Sequence, residues 1–376
     1  MKLIYLVTED WYFLSHRLPM ARAAKAAGFE VAVACRVGQG AERIRAEGFA
    51  VHPLKWRRSD NSVMGALRAI AEIRRLYAAE KPDIVHHVAL KPVIIGGVAA
   101  ILARVPAIVS AVTGMGRLFI SQSPGARALR VPVKLGMRAI FGRKGSILVL
   151  QNGDDRWELI RAGVVPARRA IVIRGSGVDT ARFAPMPEPA GDITAAYVGR
   201  MLEDKGVRTL LAAQQKLWTR GVHVHLLLAG PSDAENATAI PESELAGWNA
   251  LPGVSWLGVV ADVREVWARA HIAVLMSLRE GLPKCLLEAA ACGRPIIAGD
   301  VPGCREIAVA NENALLVPVG DVDALAAALE RLAGDAALRQ RFGLASRALA
   351  EGDFSEMKVS ARIAEVYAAA LKEVYP

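Results

Sequence analysis

Cysteine is scarce in this 376-residue chain: there are four, and none forms a Cys-x-x-Cys pair or joins a histidine cluster. This argues against a disulfide framework and a structural zinc site, and it fits a reducing, cytosolic environment. The chain also has no uncharged run of the roughly 20 apolar residues that a membrane span needs. The apolar stretch in the first ten residues, MKLIYLVTED, is too short for a signal peptide, so we interpret it as a first β-strand.

Three further signatures are absent. No Gly-x-Gly-x-x-Gly opens a helix after the first strand, which argues against an NAD-dependent enzyme. There is no convincing Asp-x-Asp metal motif, and we interpret Asp154-Asp155 as acidic residues at the start of a helix. No nucleic-acid-binding motif accompanies the positive charge, so we do not expect nucleic acid as a partner.

The net charge of +10 is unevenly distributed. Residues 1–182 contain 29 Lys and Arg against 13 Asp and Glu, whereas residues 183–376 contain 18 against 24. A basic half joined to an acidic half predicts that the two halves meet different partners, and the basic half favours an anionic surface or ligand. A strongly basic proteome would explain the overall sign but not the asymmetry.

Short β-branched runs alternate with amphipathic helical stretches, which predicts an α/β fold of two doubly wound parallel-sheet domains. Ligands of such folds bind outside the carboxyl ends of the strands, so we expect the active site between the two lobes. Helices are predicted at 15–27, ending before Gly28, and at 63–79. The predicted strands are 3–7, 30–35, 84–88, 107–112, 147–150, 193–198, 224–228, 254–257, 272–276, 295–298 and 314–317.

The segment 183–192, FAPMPEPAGD, has three prolines and no periodicity, so we interpret it as the linker between the domains. It also lies where the charge balance changes sign. We therefore predict an N-terminal domain at 1–186, a second domain at 187–356, and a C-terminal helix at 357–376 that packs back on the first domain.

The stretch 279–289, REGLPKCLLEA, follows an apolar strand. Pro283 suits the first position of a helix that ends before Gly293. Glu280 and Gly281 then lie in the loop at the helix N-terminus, where free N–H groups and a positive dipole suit a diphosphate. Glu288 lies inside the helix, where its carboxylate either accepts hydrogen bonds from vicinal hydroxyls or faces solvent.

The stretch 199–206, GRMLEDKG, follows a strand and opens a helix. Arg200 and Lys205, five residues apart at this turn, can both reach one diphosphate, Arg200 in a bidentate manner and Lys205 as a point charge. A solvated loop is the alternative for this stretch taken alone.

Together the two stretches resemble the retaining nucleotide-sugar glycosyltransferases of family 4, which have the GT-B fold. The family pattern is a Gly-Arg…Lys-Gly turn, a Glu-x7-Glu segment and a following Ala-x-Gly-x-Pro. The resemblance covers most of the chain. Its matching segments are 175–179 with Phe183, 199–206, 257–258, Glu280 to Glu288, 291–295 and 302–306.

The resemblance implies that Arg200 and Lys205 neutralise the donor diphosphate and stabilise the departing nucleotide. It implies that Glu288 binds the ribose hydroxyls and that Glu280 lies beside the donor sugar. Transfer would proceed with retention, without a metal or another cofactor. The remaining implied donor contacts are through backbone: Gly281, Leu282 and Pro283 to sugar and phosphate, and Gly258 and Val259 to the base.

The chain departs from the family in one place. Relatives commonly have Glu-Gly-Phe-Gly where this chain has Glu280-Gly281-Leu282-Pro283. The change alters a backbone contact to the donor, which leaves the donor sugar open. Family frequency favours uridine as the base.

In the first domain, the loop 8–17, TEDWYFLSHR, resembles the subgroup that extends polyprenyl-diphosphate-linked sugars. The segments 87–92 and 112–116 resemble that subgroup too. The usual family histidine after the fifth strand is missing, because Thr113-Gly114 stands there, so the proton-accepting group is open. His86 or His87 is alternatively an ordinary strand histidine. The implied acceptor-binding residues are His16, Arg17, His87, Lys91 and Thr113.

The stretch 127–144, RALRVPVKLGMRAIFGRK, combines apolar residues with six cations and no acid. It reads as a helix on an anionic membrane surface, the alternative being a core helix with a solvated basic face. We therefore expect a cytoplasmic protein that is peripheral on the inner face of the cytoplasmic membrane.

Two other functions stay open at this point. One is the same transfer to a soluble acceptor. The other is a nucleotide-sugar epimerase on the same fold, against which the Glu-x7-Glu segment argues.

Overall fold

The computed structural model describes residues 1–56, 60, 62–114 and 123–375. The chain forms two compact units. Unit 1 comprises Met1–Ser176 and Glu356–Pro376, and unit 2 comprises Gly177–Ser355. The C-terminal helix thus belongs to the first unit, although the chain reaches it after completing the second.

Unit 1 is built on a seven-stranded parallel sheet in the order β3-β2-β1-β4-β5-β6-β7. The chain moves outward from β1 to β3 and then returns to pair β4 with β1. The strands are β1 (Lys2–Glu9), β2 (Glu30–Arg36), β3 (Ala50–Pro53), β4 (Ile84–Val88), β5 (Ala107–Val112), β6 (Ser146–Leu150) and β7 (Ala170–Val172).

Helices cover both faces of this sheet because successive strand residues point to opposite faces. Tyr5 packs with α1 to α3 and α15, whereas Leu6 packs with α4 to α7. The helices are α1 (Asp10–His16), α2 (Leu18–Ala26), α3 (Ala41–Ala46), α4 (Val63–Glu80), α5 (Leu90–Leu102), α6 (Pro124–Phe141), α7 (Gly153–Arg161) and, at the chain end, α15 (Glu356–Lys372).

Unit 2 has a six-stranded parallel sheet in the order β10-β9-β8-β11-β12-β13. Its strands are β8 (Thr194–Val198), β9 (His225–Ala229), β10 (Val254–Trp256), β11 (Ile272–Leu275), β12 (Ile296–Gly299) and β13 (Ala314–Val317). Its helices are α8 (Val207–Thr219), α9 (Glu242–Trp248), α10 (Arg264–Arg269), α11 (Lys284–Ala291), α12 (Pro302–Arg305), α13 (Val322–Gly334) and α14 (Ala336–Glu351).

All the predicted strands are present, and none of their ends is displaced by more than two residues. Two short strands, β3 and β7, were not predicted. The predicted start of the helix 15–27 is wrong. The segment 8–17, predicted as a loop, instead forms the end of β1 and all of α1. The chain is already helical at Asp10, and the helix breaks at Arg17, whose ψ of −14° and φ of −127° are not helical.

The predicted linker 183–192 instead lies within unit 2. Phe183 is buried in the core of that unit. The carbonyl oxygen of Pro187 accepts a hydrogen bond of 2.9 Å from Arg294, and Glu188 pairs with Arg339 at 2.6 Å. The prolines remove helical periodicity from this segment, but its side chains and carbonyls are still used in packing.

None of the helices in the described part of the chain combines the length and the apolar character that a membrane span requires.

Candidate functional site

The carboxyl edge of the unit 2 sheet brings the predicted donor residues together. The order of the strands places the loops after β10, β9, β8 and β11 side by side. The chain order reverses between β8 and β11, which is the place where doubly wound sheets bind ligands. The 199–206 turn follows β8 and the 277–283 loop follows β11, so the two segments flank this switch point.

The 199–206 turn carries the cationic side chains of Arg200 and Lys205, and the residues Met201 and Leu202 anchor it in the core. Met201 and Leu202 are buried, so the residues on either side stay near the surface of the turn. The hydroxyl of Tyr197 donates to the carbonyl oxygen of Arg200 at 2.7 Å. Lys205 ends a short 3-10 helix and is followed by Gly206, which caps α8.

Glycines permit unusually close backbone approach at this edge. A Cβ on Gly206, which has a φ of +70°, would overlap the carbonyl oxygen of Met276. A Cβ on Gly230 would overlap the carbonyl oxygen of Gly199, and one on Gly303 would overlap that of Glu280. The backbone positions of the two cations and of Glu280 are therefore set by contacts that any larger residue would prevent.

Lys205 and Glu280 join the two sides of the switch point. The Nζ atom of Lys205 lies 2.5 Å from Oε1 of Glu280, and both side chains are mostly buried. The backbone N–H of Leu278 donates to the carbonyl oxygen of Asp204 at 2.9 Å, which fixes the two loops together beside this pair. A cation and a carboxylate are thus presented at one point of the sheet edge.

Arg200 has a carboxylate partner that sequence analysis missed. Its Nη1 atom donates to Oδ2 of Asp233 at 2.6 Å. Asp233 follows β9, the neighbouring strand. The pairing joins residues 33 positions apart, so the only sequence signal was the Gly230-Pro231-Ser232-Asp233 turn after a strand.

α11 begins one residue later than predicted, because Pro283 is its N-cap and Lys284 its first residue. Glu288 is buried, which excludes the solvent-facing alternative. The Nζ atom of Lys284 lies 3.7 Å from Oε1 of Glu288. A buried carboxylate needs polar partners. Gly281 and Leu282, in the loop between β11 and α11, are buried.

The predicted base contacts lie after β10. Gly258 has a φ of +65°, and its carbonyl oxygen accepts from the backbone N–H of Gly230 at 2.7 Å. Val259 is exposed. An exposed apolar residue beside a fixed backbone turn suits the flat face of a nucleobase, although its contact with a base stays a prediction.

The thiol of Cys285 lies in this region and is not a nucleophile. Burial, followed by the nearby charge of Glu280, raises the pKa of this thiol to about 12. The thiol therefore stays protonated near neutral pH, and covalent chemistry at this position is disfavoured.

The structure places the predicted acceptor residues of unit 1 in two environments, the interior for Arg17 and His87 and the carboxyl edge of the sheet for the others. His16 ends α1, is half-buried, and stacks on Tyr12 with ring centroids 4.3 Å apart. Arg17 is only 2% exposed and its Nη1 atom donates to the sulfur of Met20 at 3.3 Å. A guanidinium in the interior of unit 1 does not suit the acceptor contact predicted for Arg17.

His87 lies in the core, and its predicted acceptor contact does not fit this position. Its ring is fully buried in β4, with Nε2 3.1 Å from the hydroxyl of Tyr77 and Nδ1 3.4 Å from that of Ser110. Burial lowers the pKa of His87 to about 3, so it stays neutral. His86 is also buried, and its Nδ1 lies 2.6 Å from the hydroxyl of Tyr367. Both are strand histidines that serve packing.

Lys91 and Thr113 do lie at the carboxyl edge of the unit 1 sheet. Lys91 is in the first turn of α5, directly after β4, and burial lowers the pKa of its ammonium group. The preceding Ala89 has a φ of +77°, a strained conformation for a residue with a Cβ. Thr113 follows β5 and is half-buried. Gly116 of the same loop, and Arg117, lie outside the described residues.

No group of three or more metal-ligating side chains occurs among the residues that the structure describes. Metal independence stays a prediction.

Two family models match the chain. One, described as "Glycosyl transferase 4-like", matches residues 2–140, and the other, "Glycosyl transferases group 1", matches residues 192–335. The chain belongs to the family 4 glycosyltransferases. The enzyme is therefore a glycosyltransferase, and the epimerase alternative finds no support among its relatives.

Its relatives include capsular polysaccharide biosynthesis glycosyltransferase CapM of Staphylococcus aureus, 24% identical over 99% of this chain and 98% of CapM. Another is the N,N'-diacetylbacillosaminyl-diphospho-undecaprenol alpha-1,3-N-acetylgalactosaminyltransferase of Campylobacter jejuni, 23% identical over 96% of this chain and 99% of that protein. Among solved structures, Anabaena HepE in complex with UDP superposes with a TM-score of 0.77 at 18% identity, covering 98% of this chain and all of HepE. The predicted GT-B fold is confirmed.

The Arg200–Asp233 pair generates a testable prediction. Asp233→Asn removes the negative charge but keeps an oxygen that accepts from Arg200. Because the arginine charge is then no longer offset, we expect UDP to bind about two- to fivefold more tightly at low salt. Calorimetric titration with UDP measures this affinity.

The matched control is Glu330→Gln, which removes a carboxylate of α13 from its pair with Arg220, the C-cap residue at the end of α8 opposite the 199–206 turn. It should leave UDP affinity unchanged. Weaker or unaltered UDP binding by the Asp233→Asn variant would contradict the assigned role of Asp233.

Proposed function

We propose that this glycosyltransferase moves a sugar, with retention, from a UDP-sugar to a sugar linked to polyprenyl diphosphate in polysaccharide or glycan assembly. The observation that carries the proposal is the arrangement at the unit 2 sheet edge. Lys205 and Glu280 meet there across the switch point, with Arg200 on the same turn.

The donor part of the proposal rests on charge at the bond that breaks. When the bond between the anomeric carbon and the diphosphate oxygen breaks, negative charge grows on the diphosphate and positive charge on the sugar. Arg200 and Lys205 stabilise the negative charge on the diphosphate. The carboxylate of Glu280 stabilises the positive charge on the sugar. Buried Glu288 then holds the ribose hydroxyls, while the turn at Gly258 and Val259 contacts the base.

The acceptor part rests on unit 1 and on the relatives. Lys91 lies in the first turn of α5, directly after β4, which pairs with β1 at the switch point of that sheet. The first turn of α5 contains no acidic residue, so its N-terminus and Lys91 together favour an anion such as the acceptor diphosphate. The Campylobacter relative carries an undecaprenol diphosphate acceptor in its name. Thr113 and His16 are the other edge residues available to the acceptor.

The membrane part rests on α6. Its first turns are exposed, and Leu129, Val131 and Leu135 are each more than half exposed. The sequence has no Asp or Glu from residue 84 to residue 153, while this stretch contains nine Lys and Arg. Exposed apolar side chains among cations suit the surface of an anionic bilayer. We therefore place the enzyme at the inner face of the cytoplasmic membrane.

The transfer is tested with purified enzyme, a panel of nucleotide sugars and a polyprenyl-diphosphate-linked sugar. We expect one donor, a UDP-sugar, to extend the lipid by one sugar with release of UDP. Lys205→Ala and Glu280→Ala should each lower the turnover number by about 100-fold or more, because each removes a charge needed in the transition state.

The control for this assay is Lys216→Ala, which removes a lysine of α8 that pairs with Asp323. Its turnover should match that of the wild type. Extension of a soluble sugar but not of the lipid would overturn the acceptor, and near-normal turnover of both site variants would overturn the donor site.

The membrane surface is tested by flotation with vesicles rich in anionic phospholipid. Leu129→Glu combined with Leu135→Glu introduces charge into the exposed apolar face of α6, so the bound fraction should fall several-fold. Leu344→Glu, at an exposed leucine on α14 of unit 2, is the matched control and should bind like the wild type. Equal flotation of the α6 variant would show that this helix is not the contact.

A further inference from the structure

Helix α1 carries an aromatic surface of which the proposed function uses only His16. On its inner side, Phe13 is fully buried and packs edge-on against Tyr5, with ring centroids 5.6 Å apart. On its outer side, Trp11 is 47% exposed. Tyr12 is half-buried against the unit 1 core, and its ring stacks on that of His16 with an interplanar angle of 5° and lies edge-on to that of Trp11 at 5.9 Å. Three rings thus lie along one short helix.

The aromatic face is rigidly mounted. Asp10, at the start of α1, is only 2% exposed, and its Oδ2 accepts from the backbone N–H groups of Gly38 at 2.6 Å and Gly40 at 2.9 Å. Its Oδ1 accepts from the backbone N–H of Trp11 at 2.7 Å. A Cβ on Gly40 would lie 2.8 Å from Cδ1 of Leu14 and 3.1 Å from Cγ of Asp10, so the loop after β2 packs closely against α1.

Ser15 fixes the ring of His16 as well. Its Oγ lies 2.6 Å from Nδ1 of His16, which holds the imidazole against Tyr12. Rings that are fixed before a ligand arrives lose little conformational entropy on binding. The arrangement is therefore suited to recognition, and nothing in the core of unit 1 requires the exposed indole.

The location of α1 indicates what it recognises. The helix begins at the carboxyl end of β1, which pairs with β4 at the switch point of the unit 1 sheet. Lys91, in the first turn of α5, lies at the same edge. The faces of aromatic rings carry negative potential, and the C–H groups of a pyranose ring present the opposite sign, so the two stack. The imidazole and phenol groups add polar atoms for sugar hydroxyls.

We propose that Trp11, Tyr12 and His16 form the subsite that binds the sugar of the acceptor. The proposal rests on the proposed function, since it assumes that the acceptor carries a sugar at this sheet edge. A sugar fits better than a bilayer surface, because Tyr12 and His16 are half-buried and offer polar atoms, and α1 contains no Lys or Arg that an anionic bilayer would attract. No cation belongs to the aromatic face itself other than His16 when protonated.

The test measures KM for acceptor and for donor separately. Trp11→Ala should raise the KM for a polyprenyl-diphosphate-linked sugar about five- to tenfold, the effect of losing one stacking partner, with little change in donor KM. Trp11→Phe should recover part of the loss because it restores an aromatic face. Trp157→Ala is the matched control, since Trp157 is a 61% exposed tryptophan on α7 of the same unit. Its acceptor KM should equal that of the wild type.

The acceptor chain length separates a sugar contact from a membrane contact. With a short-chain, water-soluble diphosphate-linked sugar and no vesicles, the Trp11→Ala effect should persist. An effect seen only with vesicles, or an unchanged acceptor KM in an active Trp11→Ala enzyme, would overturn the subsite. If the wild-type enzyme extends no diphosphate-linked sugar at all, the proposed acceptor falls, and the subsite falls with it.

Discussion

Close backbone contact at the carboxyl edge of the unit 2 sheet is the constraint on which the donor site depends. Gly230 meets the carbonyl of Gly199, Gly206 meets that of Met276, and Gly303 meets that of Glu280. Each contact brings together segments that are distant in sequence, and none tolerates a side chain. Because these glycines fix the loops, the flexible side chains of Arg200 and Lys205 start from defined positions. Such preorganisation is what electrostatic stabilisation of a leaving group requires.

At the carboxyl edge of the unit 2 sheet, nearby carboxylates offset the positive charges of the donor site. Each predicted diphosphate cation has a carboxylate partner, Asp233 for Arg200 and Glu280 for Lys205. Partly buried cations need such partners to remain charged without a large desolvation cost. A diphosphate that enters this edge brings negative charge to both cations, which in our account leaves Glu280 to face the donor sugar. Unit 1 uses its own sheet edge differently, with Lys91 at a helix start and aromatic rings on α1.

Much of this could be predicted from the sequence, because the relevant signals are local. The 199–206 turn and the start of α11 follow from a strand, a glycine and a proline within a few residues. The edge strands β3 and β7 were missed because they are too short to show the two-residue alternation that identifies a strand. α1 was missed because its anchor, Asp10, bonds to Gly38 and Gly40, about thirty residues away. His87 was assigned to the acceptor by resemblance, and the sequence gives no sign that Tyr77 and Ser110 contact its ring in the core.

The central claim is that Arg200 and Lys205 form a seat for the donor diphosphate, and calorimetric comparison of UDP with UMP tests it most directly. The two ligands share the base and the ribose and differ by one phosphate. The difference between their affinities therefore measures what the diphosphate-binding residues contribute. The account predicts that the wild-type protein prefers UDP and that Lys205→Ala removes about tenfold or more of that preference while UMP binding changes little. Full retention of the preference for UDP in Lys205→Ala would contradict the account.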